Sequence, residues 1–202
     1  MQTIKALFFA ANPADTNRLA IDEEMRAIEQ KVRAAEHRDG LVFQSAWVVR
    51  PDDLLQLLNQ HRPQIVHFSG HGSETGLSFA GDDGQSRVVT AQALMALFTT
   101  LKDNIRLVFL NACYSREQAQ AIIGSIDCVI GMKAGIRNKA ATVFASSFYR
   151  AIGFGRSIQD AFDQGKAALL LEGIAAEDIP ELLVKDGIDP SQVVLIGQAS
   201  HP

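Results

Sequence analysis

Two side chains in this sequence have the chemistry of a covalent catalyst. Cys113 carries a thiol and His71 an imidazole, and each follows a short apolar run. Ile65-Val66-His67-Phe68 leads through Ser69-Gly70 to His71-Gly72, and Leu107-Val108-Phe109-Leu110 leads through Asn111-Ala112 to Cys113-Tyr114-Ser115. The thiolate is the nucleophilic form, and a free thiol with a pKa near ~8.5 is only slightly ionised at neutral pH. Cysteine catalysis therefore needs an acid–base partner close in space, however distant in sequence. A helix starting just after Cys113, marked by the capping-box pattern Ser115-Arg116-Glu117-Gln118, would favour the anion through its N-terminal dipole. Gly72 adds a further element, because without a side chain its backbone N–H can turn toward a substrate. With the N–H of Cys113 it is expected to hold an oxyanion; removing one such donor typically costs about 3 kcal/mol.

Taken singly, a cysteine at a strand end is usually a small buried hydrophobe, and a histidine in a glycine-rich loop says no more. The pair gains meaning only if the fold brings both to one place. Apolar runs at residues 4–9, 41–49, 64–68, 106–110, 127–132 and 192–196 read as six strands, mostly continuous and so buried on both faces. Helical patterns lie between them, the clearest being the stripe Ile21, Met25, Ile28, Val32, Ala35. Asp52, Thr90 and Ser157 each precede an apolar helical run as caps, and another helix starts near Asn138. This alternation predicts an α/β fold with a mostly parallel sheet and helices on both faces. The glycines between Gly70 and Thr90 predict a loop plus a small hairpin turning at Gly81-Asp82-Asp83-Gly84, and Pro180 and Pro190 bracket a final loop before the last strand. In open α/β sheets ligands collect outside the carboxyl ends of the strands. If the two motif-bearing strands are neighbours, His71 and Cys113 face each other there.

Length and composition bound the reading. The 202 residues suit one well-buried core, read as a single domain over residues 1–198 with a tail at 199–202. Hydrophobic residues make up 47% and charged residues 21%, the balance of an ordinary globular protein. A formal net charge of -4 with no Lys/Arg-rich block argues against a nucleic-acid partner. The longest apolar runs fall far short of the ~18 residues that span a bilayer, so no membrane partner is expected. The short apolar start, ending at Asn12-Pro13, does not read as a secretory signal, and only two cysteines, Cys113 and Cys128, are present. A cytoplasmic location with both thiols free is expected.

At His71-Gly72 and Asn111-Ala112-Cys113 the sequence resembles the histidine-glycine and cysteine motifs of caspase-like peptidases. The two residues are 42 positions apart, close to the ~50 expected for caspases. Within that group, Val66-His67-Phe68-Ser69-Gly70-His71-Gly72, then Gly76-Leu77-Ser78-Phe79, then Val108-Phe109-Leu110-Asn111-Ala112-Cys113-Tyr114-Ser115 resemble the bacterial CHAT domain. Ala10-Ala11-Asn12-Pro13, Val129-Ile130-Gly131-Met132 and Gly155-Arg156-Ser157-Ile158 extend the likeness over nearly the whole chain. The resemblance implies a three-layer α/β/α sandwich with a six-stranded, mostly parallel sheet. It also implies a cysteine endopeptidase with His71 and Cys113 as its catalytic dyad and Gly72 and Cys113 as its oxyanion hole. Asn111, Ser69, Gly70 and Asn138 are candidates for the substrate pocket. No metal or organic cofactor is implied; the partners are a protein substrate and a sensor or activator protein, in bacterial defence or signalling.

Departures from the wider group matter. Caspases carry Gln two residues before the cysteine and Gly two after, where this chain has Asn111 and Ser115. Aspartate specificity is therefore not expected. Metacaspases carry an acid at the position of Asn111, so a basic preference does not follow from that residue either, although Glu74, Asp82 and Asp83 could supply acidity. Asp often stands in the family where Asn138 stands; either residue can cap a helix. His67 and His71 are four apart but lie on a strand and the turn after it, so the spacing does not suggest a metal site, and His67 and Cys128 read as core residues. Gly70, Gly72 and Gly76 miss the nucleotide-binding spacing. The alternative to a peptidase is a catalytically silent scaffold that keeps the fold.

Overall fold

The structure, a computed structural model, describes residues 3–197, so the expected boundary at residue 198 and the tail at 199–202 lie outside the described residues. The chain runs β1 (Ile4–Ala11), α1 (Ile21–Arg33), β2 (Leu41–Trp47), α2 (Pro51–His61), β3 (Ile65–Gly70), β4 (Gly72–Ser73), β5 (Gly76–Ala80), β6 (Ser86–Val89), α3 (Ala91–Thr100), β7 (Leu107–Asn111), α4 (Arg116–Ile122), β8 (Cys128–Met132), α5 (Asn138–Gly153), α6 (Ile158–Leu171) and β9 (Pro180–Val184). The main sheet has the order β2-β1-β3-β7-β8-β9, with β9 antiparallel and the other pairings parallel; β4, β5 and β6 form a small antiparallel sheet.

Strands β3, β7 and β8 are buried at every residue, as continuous apolar runs require when helices cover both faces. Side chains alternate across the sheet. Phe8, Ile65, Leu107, Phe109 and Ile130 pack with Ile21, Met25, Ile28 and Val32 of α1 and with Phe144, Phe148 and Leu169 of α5 and α6. Leu7, Phe9, Val66, Phe68, Val108 and Leu110 pack with Leu54 and Leu58 of α2, Leu94 and Phe98 of α3, and Ile122 of α4. The result is the expected three-layer sandwich. Among the described residues no helix is long and apolar enough to cross a membrane.

Three local expectations are corrected. The sixth strand is not 192–196 but β9, paired from Cys128↔Val184 to Met132↔Pro180. As a half-buried edge strand it shows only the short apolar run Leu182-Leu183-Val184, and a proline is tolerated at its first residue. Residues 192–196 instead lay Val193 and Ile196 into the core, and Val194 makes a single bridge to Ser157. Ser115 does not close a capping box: its Oγ donates to the Leu110 carbonyl at 2.9 Å and accepts from Met132 N–H at 3.0 Å. Asp52 lies inside the first turn of α2, where Pro51 opens the helix and Asp53 accepts from the Arg50 N–H at 2.9 Å. Thr90 and Ser157 do cap α3 and α6, accepting from Ala93 and Asp160 N–H.

The hairpin of β5 and β6 forms as read from the glycines. It is tied at two levels. Ser78 N–H donates to the His71 carbonyl at 2.9 Å, while Ser86 bonds the Asp15 carboxylate and Gly84 accepts from Ala14 N–H, both in the segment leading from β1 to α1.

Candidate functional site

Strands β3 and β7 are adjacent and parallel, with Ser69 opposite Asn111. His71 and Cys113 each lie two residues beyond that pair, so the register itself delivers imidazole and thiol to one edge. The approach of the two loops is close. A Cβ placed on Gly72 would lie 2.5 Å from the Cys113 carbonyl oxygen and 2.9 Å from the Ala112 Cβ, so only glycine fits. Tyr114, next in the chain, holds a left-handed φ of 55°, a conformation uncommon for a residue with a side chain, and Ser115 pins the turn between the ends of β7 and β8. The Cys113 N–H has no protein acceptor among the described residues. Ser78 N–H bonds the carbonyl of His71, which puts Gly72 opposite Leu77 at the next, non-hydrogen-bonded position of the ladder.

His71 and Cys113 line one cleft. His71 Nε2 donates to the Asn17 carbonyl at 2.6 Å; a carbonyl only accepts, so the proton sits on Nε2 and Nδ1 carries the lone pair in the neutral ring. Cys113 Sγ accepts from Ile136 N–H at 3.4 Å and lies 3.7 Å from the Ile136 carbonyl. Thiol and imidazole thus bond opposite walls, and among the described residues no hydrogen bond joins them. Catalytic contacts commonly tighten only when substrate binds.

Beneath the pair lies a polar cluster. Glu24 of α1, only 4% exposed, accepts from Asn111 Nδ2 at 2.7 Å, from Ser69 Oγ at 2.6 Å and from His67 Nε2 at 3.0 Å. His67 is stacked between Phe8 and Phe109, and its Nδ1 lies 3.1 Å from the Tyr149 hydroxyl. Burial, and the nearby Glu24 carboxylate, hold Tyr149 well above its ordinary pKa. It therefore keeps its proton, and because His67 Nδ1 is its one hydrogen-bond partner among the described residues it donates there, leaving Nε2–H to donate to Glu24.

Of the candidate pocket residues, the structure brings Ser69, Gly70, Asn111 and Asn138 to the same cleft. Asn138 is the first residue of α5 and its cap is Arg137. Glu74, Asp82 and Asp83 do not line it: Asp82 is exposed and pairs with Arg50, and Asp83 accepts from Gln85 N–H within the hairpin turn. The acid of the cleft is Glu24, which sequence reasoning missed although it falls three after Ile21 and four before Ile28, on the buried stripe of α1. Asn17 was missed as well, and it acts through a backbone carbonyl. Cys128 is fully buried, with its pKa pushed up to about 12 by desolvation and then by Asp127; both cysteines are free.

A six-stranded sheet in this order, with a histidine loop and a cysteine loop meeting at its carboxyl edge, defines the caspase-like class of α/β folds. The chain superposes on caspase-1 from Spodoptera frugiperda with a TM-score of 0.65 at 12% identity, covering 100% of this chain and 92% of that one. It superposes on the Arg-specific cysteine proteinase gingipain R with a TM-score of 0.62 at 14% identity, covering 94% of this chain and 47% of that one. The family model of the CHAT domain matches residues 3–177, and the chain belongs to that family. It is 29% identical over 178 residues to a Roc-COR-CHAT protease from an unknown prokaryotic organism, matching 83% of this chain and 17% of that protein. It is 28% identical over 146 residues to a probable protease of Gillisia limnaea, matching 71% of this chain and 26% of that protein. The chain thus spans about a quarter or less of the length of these curated relatives.

Proposed function

We propose that this chain is a cysteine endopeptidase that uses His71 and Cys113 as a dyad to cleave a specific partner protein. The observation that carries this reading is the shared register: paired residues Ser69 and Asn111 place His71 and Cys113 at equal distance beyond two adjacent parallel strands, over one cleft. The protease names of two relatives support it.

In the proposed reaction the Cys113 thiol gives its proton to His71 and its sulfur attacks the scissile carbonyl carbon. The N–H groups of Gly72 and Cys113 hold the resulting oxyanion. Collapse breaks the C–N bond, His71 protonates the departing amine, and a thioester remains on Cys113. His71 then takes a proton from water, whose oxygen attacks the thioester and releases the acid and the thiol. The Asn17 carbonyl holds the ring with Nδ1 unprotonated, and Cys113 exchanges its contact with Ile136 for one with His71 as substrate enters. The proposed setting is the cytoplasm, in bacterial defence or signalling, under control of a sensor or activator protein.

Digestion of a positional peptide library by the native chain and by Cys113→Ala, side by side, tests the dyad. Cleavage is expected to fall by at least about 1000-fold in the variant, the scale seen when a covalent nucleophile is removed; cleavage that survives overturns the assignment. The separate hydrogen bonds of His71 and Cys113 favour one competing reading, a catalytically silent scaffold. A thiol-directed peptide electrophile that reacts at Cys113 decides for the peptidase.

A further inference from the structure

We propose that the cleft below Cys113 receives a basic side chain, so that the enzyme cuts after lysine or arginine; this rests on the peptidase reading above. The argument is an inventory of hydrogen-bonding groups at the cleft floor. Three neutral donors, Ser69 Oγ–H, Asn111 Nδ2–H and His67 Nε2–H, are all spent on Glu24. What remains is acceptor capacity. An ionised carboxylate offers about four lone-pair sites, one more than these donors fill. Asn111, 5% exposed and lining the cleft, has its Oδ1 without a partner among the described residues. Its orientation is forced, because turning the amide over would set Oδ1 against the Glu24 carboxylate.

Charge points the same way. Among the described residues no Lys or Arg pairs with Glu24; its only ion-pair neighbour is His67, whose second nitrogen is taken by Tyr149. A buried carboxylate without a cation is costly. An ammonium or guanidinium brings donors only, together with the missing charge. The walls suit the rest of such a side chain: Leu19, Ile21, Ile136 and Ala141 are apolar and would cover its methylene stem. An aspartate has the wrong charge and no donor, and an aliphatic side chain would seal Asn111 Oδ1 away from any partner.

Peptidyl acyloxymethyl ketones of one sequence, ending in lysine, arginine, norleucine or aspartate, provide the test, with Cys113 labelling followed by intact mass and Cys113→Ala as the blank. The lysine or arginine probe is expected to label at least about 100-fold faster than the norleucine and aspartate probes. In Glu24→Gln the ratio of basic to norleucine labelling falls about tenfold or more, a change in preference that a merely structural role would not produce. Asn111→Leu, which leaves Glu24 in place, is expected to lower the same ratio and serves if the first variant does not fold. Norleucine or aspartate probes that label as fast as the basic ones overturn this inference and leave the peptidase intact. An unchanged ratio in both variants also overturns it. No labelling of Cys113 by any probe overturns both readings.

Discussion

The two faces of the central sheet are built from alternate residues of the same strands, yet they do different work. Toward α2, α3 and α4 the strands β3 and β7 present Val66, Phe68, Val108 and Leu110, all hydrocarbon. Toward α1, α5 and α6 they present His67, Ser69, Phe109 and Asn111, which near the carboxyl edge gather around Glu24. Hydrophobic burial is strong but non-directional, so the first face stabilises the sheet without orienting anything above it. Hydrogen bonds have fixed geometry, so the second face can hold the ends of β3 and β7 in a set relation to α1. Both faces stabilise the sheet through apolar burial, and the second alone also positions the site.

The strongest way to break this contrast is to truncate the apolar face. Phe98→Ala should cost about 3–5 kcal/mol in urea unfolding while leaving the rate of Cys113 labelling by an electrophile unchanged in the protein that remains folded. On the polar face the pattern should invert. Glu24→Leu strands three donors and should cost about 2–3 kcal/mol, with labelling of Cys113 slowed by more than the unfolded fraction explains. Equal loss of labelling in both variants would mean the division does not exist. Tyr149→Phe removes one hydrogen bond to His67 and should cost about 1 kcal/mol.

A smaller effect sharpens the contrast by pH. Cys128 and Tyr149 both lie on the α1, α5 and α6 face, and burial raises both pKa values, that of Cys128 to about 12 from an ordinary 9.0. Both groups are neutral when protonated, and the unfolded chain loses these protons first. Stability is therefore intact below pH 9.0 and declines as pH rises toward 12. Urea midpoints measured at about pH 8 and about pH 10.5 should show the fall, and the double variant Cys128→Ala with Tyr149→Phe should flatten it. A slope that persists in the double variant would place its origin elsewhere.

Most of the sheet was legible because β1, β3, β7 and β8 are largely buried on both sides and so appear as predominantly apolar runs. The edge strand β9 was not. Half-buried, it shows only the three-residue apolar run Leu182-Leu183-Val184, while Val193 and Ile196 look like part of a strand but pack as irregular core. His71, Cys113 and Gly72 were legible from residue type and from their place after strands. Glu24 was hidden by the habit of reading a helical stripe for apolar residues alone, and Asn17 by acting through its peptide group, which every residue shares. Ser115 showed a cap pattern, but two backbone groups at the ends of β7 and β8 compete for its hydroxyl and win.

The ties of the β5–β6 hairpin have a mechanical consequence. One rung grips the peptide of His71 through Ser78, and two more grip the segment that carries Asn17 through Asp15 and Ala14. The hairpin is a strut between the histidine and the carbonyl that steadies its ring. Lifting its Gly81–Gly84 tip from outside would slacken both at once, giving this small sheet leverage over the imidazole without anything entering the cleft.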